Sequence, residues 1–147
     1  MIKSLLYRLR LIRKSGKLKI LVVDDEPRFA KIIKRVLSSD EYDVQGADTA
    51  IAALKRIKRE KFDLIIMGIR MPGMSGIEFY HRIEETNRSY LNKIIFATGD
   101  YKSEECVDFF SRTGVPWFPK PFTRDDLLRA VKTQLKKNAT LGHASPL

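Results

Sequence analysis

The sequence predicts an α/β protein built as a three-layer, doubly wound, five-stranded parallel sheet. Three observations carry this. Short apolar runs without polar alternation occur at residues 18–23, 62–67, 93–97 and 115–118, the pattern of strands covered on both faces, with a shorter strand at 42–47. Amphipathic helical stretches separate them, which implies right-handed βαβ crossovers. Polar positions then gather at the carboxyl ends of strands one, three, four and five, at Asp24 and Asp25, Gly68, Thr98 and Lys120. In open sheets of this class ligands bind at that edge. The tip of the third strand is the exception, because Gly68 has no side chain.

Residues 1–16 place Ile2, Leu5, Leu6, Leu9 and Ile12 at helical spacing among Lys3, Arg8, Arg10, Arg13 and Lys14, and Gly16 breaks the pattern. Arginines interrupt any apolar core and no small-residue cleavage site follows, which argues against a secretory signal. The segment reads as a basic amphipathic extension, either inert or a membrane-surface or partner-binding helix. The first strand ends at Asp24-Asp25-Glu26-Pro27, and Pro27 suits a first helical turn, where its missing N–H costs nothing. Phe29, Ile32, Ile33, Val36 and Leu37 form one face of that helix.

After the second strand, Asp48 or Thr49 can cap a helix whose apolar positions are Ile51, Ala52, Leu54 and Ile57. Its basic far end, residues 55–61, suits a solvated helix terminus, where positive charge is favourable. Met71-Pro72-Gly73 marks a turn after the third strand, and Ser75-Gly76 opens a helix to residue 85. The fourth strand ends at Thr98-Gly99-Asp100; a helix over about 102–113 follows, with Gly114 as its C-terminal cap. The fifth ends in Pro119-Lys120-Pro121-Phe122. Thr123 caps the last helix, with Asp125 and Asp126 early and Lys132, Lys136 and Lys137 late, matching the helix dipole. The expected organisation is an extension at 1–16, one domain at 17–137 and a disordered tail at 138–147.

At 147 residues and 44% hydrophobic content the chain is an ordinary single domain, with no apolar run near the about 18 residues of a membrane span. A single cysteine, Cys106, excludes a disulfide framework and reads as a core or boundary residue. His81 and His143 carry no ligand spacing, and His81 reads as a helix-surface residue. The net charge of +10 resembles a nucleic-acid signature until it is located. Residues 1–19 hold seven cations and no acid, residues 136–147 add Lys136 and Lys137, and 20–135 balance 19 basic against 18 acidic residues. The body is not a basic domain.

Adjacent carboxylates at a strand end suit a hard cation such as Mg²⁺. A hydroxyl at Thr98 and an ammonium at Lys120 suit a phosphoryl group. Taken together and in order, I-L-V-V-D-D-E-P, D-L-I-I-M-G-I-R-M-P-G-M-S-G, F-A-T-G-D and P-K-P-F resemble the receiver domain of bacterial two-component response regulators, over residues 18–136. The resemblance implies the flavodoxin-like receiver fold. It implies Mg²⁺ held by Asp24, Asp25 and the backbone carbonyl of Arg70, and phosphoryl oxygens contacted by Thr98 and Lys120. It further implies a cis Lys120–Pro121 peptide and a switch formed by Thr98 and Trp117.

The family's phosphoacceptor aspartate falls on Gly68, which can form no acyl phosphate and removes one Mg²⁺ ligand. The expectation is therefore a stand-alone, non-enzymatic, cytoplasmic signalling module of a phosphorelay that acts by protein–protein contact. It would be a pseudo-receiver or a silenced variant, with Mg²⁺ binding weakened. Its implied partners are a sensor histidine kinase, a downstream signalling protein or a second copy of itself, met through the face around the fourth helix, fourth strand and fifth helix. The alternative is a membrane-surface or nucleic-acid-binding protein working through residues 1–19, given less weight because the body is neutral. An aspartyl-phosphate type phosphatase using Asp24 and Glu26 is a poor match.

Overall fold

Side chains alternate across a strand, so an apolar run with no polar positions needs cover on both faces. The computed structural model, which describes residues 16–38 and 41–143, supplies that cover. In chain order the elements are β1 Leu18–Val23, α1 Pro27–Leu37, β2 Tyr42–Ala47, α2 Ala50–Arg59, β3 Leu64–Met67, α3 Gly76–Thr86, a 3₁₀ helix Arg88–Lys93, β4 Ile94–Thr98, α4 Glu104–Thr113, β5 Trp117–Pro119 and α5 Arg124–His143. All pairings are parallel, in the order β2-β1-β3-β4-β5. On one face Leu18, Ile20, Val22, Leu64, Ile66 and Ile95 meet Phe29, Ile33 and Leu37 of α1 and Leu127, Val131 and Leu135 of α5. On the other, Leu21, Val23, Ile65, Met67 and Phe96 meet α2, α3 and α4 through Ala53, Ile57, Phe79, Ile83, Cys106 and Phe109. Each large apolar side chain so buried contributes roughly 1.5–3 kcal/mol.

The helix boundaries follow the caps. The side chains of Thr49, Ser75 and Ser103 accept from Ala52, Glu78 and Cys106 N–H, and Gly114 ends α4 in the left-handed region at φ 66°. The helix expected from about residue 102 starts at Glu104 because Ser103 caps it. The 3₁₀ helix had no sequence signal of its own. It is fixed by tertiary contact, with the buried Tyr90 accepting the Phe62 N–H at 3.0 Å. β5 forms at Trp117–Pro119 rather than 115–118: Pro116 has no N–H, and its carbonyl accepts from Phe96 at 3.0 Å.

One expectation is corrected. The tail at 138–147 was expected to be disordered, yet α5 continues to His143. Ala139 is buried, and Asn138 and Gln134 are tied to the body, with Asn138 Nδ2 donating to Asp63 O at 3.5 Å and Gln134 Nε2 to Asn92 O at 2.6 Å. Tertiary contact extends a helix that local composition leaves weak. Residues 144–147, and all of the N-terminal extension except Gly16, lie outside the described residues. Among the described residues no helix is long and apolar enough to cross a membrane.

Candidate functional site

A parallel sheet delivers its carboxyl ends to one edge, so β1, β3, β4 and β5 place Asp24, Gly68, Thr98 and Lys120 together there. Backbone bonds fix the tips. Gly68 N–H donates to Val23 O at 2.9 Å, and Lys120 N–H donates to Thr98 O at 3.0 Å. The Lys120–Pro121 peptide is cis.

Asp24 is 4% exposed, and both its oxygens are engaged. Oδ1 accepts the Glu26 N–H at 2.9 Å and Oδ2 accepts Lys120 Nζ at 2.6 Å. The ammonium also lies 3.8 Å from the centre of the Phe29 ring, a favourable cation–π position. A Cβ at residue 68 would lie 2.8 Å from Asp24 Oδ2. The carboxylate therefore occupies space that any side chain at position 68 would contest. The structure brings Asp24 and Lys120 into one closed ion pair whose charges cancel.

The remaining expected residues stand apart from that pair. Asp25 is exposed. Thr98 is buried, and its hydroxyl accepts the Asp100 N–H at 2.9 Å. Arg70 turns its side chain outward, with Nε donating to Asp100 Oδ2 at 2.7 Å and a terminal nitrogen to Glu105 Oε2 at 2.8 Å. Trp117 is 39% exposed and lies between two rings, Phe110 at 5.0 Å and 7° and Tyr101 at 5.3 Å and 26°. The donor set does not fit Mg²⁺ as it stands, because the cation would have to displace Lys120 from Asp24 to reach that carboxylate. Among the described residues no group of three His, Cys, Asp or Glu side chains converges elsewhere.

Two features of the site were invisible in the sequence. The Asp24–Lys120 pair joins residues 96 apart, and the Arg70–Asp100–Glu105 bridge ties the loop after β3 to the loop and helix after β4. The spacing of charges along the chain gives no signal for either. The bridge has a pH signature. Its hydrogen bond from Arg70 holds the Asp100 carboxyl below its ordinary value, with a smaller contribution from Ser103. A depressed folded-state value means that the stabilisation is present above the ordinary carboxylate range and is lost as pH falls through the folded value. Thermal melts of the protein and of Asp100→Asn should differ at neutral pH and converge well below about pH 4. A difference that stays constant down to the acid limit would show that Asp100 acts through something other than its charge.

Residues 20–132 match the response regulator receiver domain. Among curated relatives, the chain is 31% identical over 119 residues to the regulatory protein VanR of Enterococcus faecium, covering 81% of this chain and 50% of that one. It is 37% identical over 130 residues to the sensor protein EvgS of Escherichia coli, covering 88% of this chain and 10% of that one. The chain thus spans half or less of these relatives. The crystal structure of a CheY-like response regulator receiver domain protein from Methanospirillum hungatei superimposes with a TM-score of 0.74 at 31% identity, covering 84% of this chain and 97% of that one.

Proposed function

The chain belongs to the response regulator receiver family, and from that premise we propose that it signals by protein–protein contact without accepting a phosphoryl group at residue 68. The carrying observation is Gly68 itself. It stands at the tip of β3, where the family places its acceptor carboxylate, and glycine offers no oxygen to phosphorylate. The closed Asp24–Lys120 pair supports the same reading, since the cation that would meet phosphoryl oxygens is already neutralised at 2.6 Å. Names among the relatives, regulatory proteins and a sensor protein, support a place in two-component transduction with a histidine kinase or a downstream protein as partner. Trp117 and Tyr101 form an exposed aromatic patch suited to such a contact, and Thr98 lies buried one strand away.

Intact-mass measurement after incubation with Mg²⁺ and acetyl phosphate tests this. The protein should show no added phosphoryl group. Its Gly68→Asp variant should gain one: the new Cβ forces Asp24 Oδ2 away, and Lys120 is released to the new carboxylate. Phosphorylation of the unaltered protein at any residue would overturn the proposal. Failure of both proteins would mean that the crevice itself, and not Gly68 alone, has lost the chemistry.

A further inference from the structure

In a doubly wound sheet the helices run opposite to the strands, so one end of the molecule collects strand starts and helix ends. At that end, opposite the crevice, a pocket of about 510 Å³ lies between the end of α2 and the 3₁₀ helix. Lys58, Arg59, Lys61 and Lys93 line it, against one acid, Glu60. That acid is engaged, with Lys19 Nζ at 2.8 Å and Arg56 Nε at 3.0 Å. Cations at a helix end ordinarily just complement the dipole. This accounts for Lys58 and Arg59, but Lys61 lies beyond α2 and Lys93 belongs to a separate segment entering β4. Four cations from two connections therefore face one pocket.

The second observation is where the N-terminal segment joins. Lys19, the second residue of β1, contacts the pocket wall directly: its N–H donates to Asp63 Oδ2 at 2.7 Å and its ammonium to Glu60. Residues 1–15 are consequently attached beside the cationic pocket. Their sequence carries five cations, no acid, and Ile2, Leu5, Leu6, Leu9 and Ile12 at helical spacing. A nucleic acid would use the cations and leave the apolar positions without a role. An anionic bilayer uses both, and combining an inserted amphipathic segment with a basic patch strengthens otherwise marginal membrane attachment.

We infer that this end of the protein docks on an anionic lipid bilayer. The apolar side chains of residues 1–15 enter the headgroup boundary, and Lys58, Arg59, Lys61 and Lys93 meet the lipid phosphates. The crevice at the carboxyl ends of the strands then faces away from the bilayer, open to a partner. The inference stands independently of the reading of Gly68.

Co-sedimentation of the full chain with vesicles tests it. The protein should bind phosphatidylcholine vesicles containing phosphatidylglycerol and should not bind phosphatidylcholine alone. Because both side chains are exposed, a Lys58→Ala/Arg59→Ala variant should keep its melting temperature. It should bind the anionic vesicles roughly 25-fold more weakly, about fivefold per cation. Equal binding to neutral vesicles would overturn the inference. So would unchanged binding by the double variant, which would leave the folded body out of the contact. Retention on a duplex oligonucleotide in place of vesicles would do the same and would assign this end to nucleic acid.

Discussion

Replacing Lys120 with methionine is expected to destabilise the protein by about 2–3 kcal/mol, the lower part of the range for breaking a buried ion pair, because Lys120 keeps a quarter of its side chain in water. Methionine retains the stem that lies against Phe29 and removes only the charge. Asp24, 4% exposed, would keep the Glu26 N–H and lose its counter-ion. The second half of the experiment separates charge from packing. Asp24→Asn in the Lys120→Met background removes the orphaned charge, so the double variant should be more stable than Lys120→Met alone. Urea titrations of the four proteins measure this, and purely additive losses would mean that the pair is not coupled in solution. The same cycle bears on function, since an ammonium held by Asp24 is unavailable to any incoming phosphoryl group.

Gly76→Ala is the second large effect, with an expected loss of about 2–3 kcal/mol and a Tm lower by roughly 8 °C. On an open helix the same change gains about 1 kcal/mol through helix propensity. Here an added Cβ would overlap the carbonyl oxygen of Gly68 and lie 2.9 Å from Phe96 Cε1 and 3.1 Å from the Gly68 carbonyl carbon. Backbone cannot swing aside as a long side chain can. Relief requires moving the first turn of α3 off the tip of β3, at the cost of the Gly76 N–H bond to Ile69 O at 2.9 Å. Gly99→Ala is the control at a neighbouring tip: its nearest atom is Lys120 O at 3.7 Å, ordinary contact, so the change should stay within about 0.5 kcal/mol. Equal melts for the two variants would show that α3 is not seated as tightly on β3 as the structure places it.

The fold was legible because its signals are local. Unalternating apolar runs, the caps at Thr49 and Ser75, the glycine at 114 and Pro27 at a first turn each declare themselves within a few residues. Strand order and the shared edge then follow from the handedness of βαβ crossovers. The errors fell where local signals are weak and tertiary contact decides. Residues 138–143 look like a tail, yet the buried Ala139 and the bond from Asn138 to Asp63 hold them in a helix. Tyr90, reaching back to Phe62, fixes a 3₁₀ helix that no periodicity announces.

For the site, the sequence by itself determined which residues reach the carboxyl edge and that glycine occupies the tip of β3, because chain order and residue type decide both. Only the tertiary structure decided how those residues pair. It turned Asp24 toward Lys120 rather than toward an open cation site, sent Arg70 outward to Asp100 and Glu105, and placed the cations at 58, 59, 61 and 93 beside the start of β1. The physical reason is range. A cap or a buried strand is specified within one or two turns of chain, whereas an ion pair between residues 96 apart exists only once the sheet has brought its strands together.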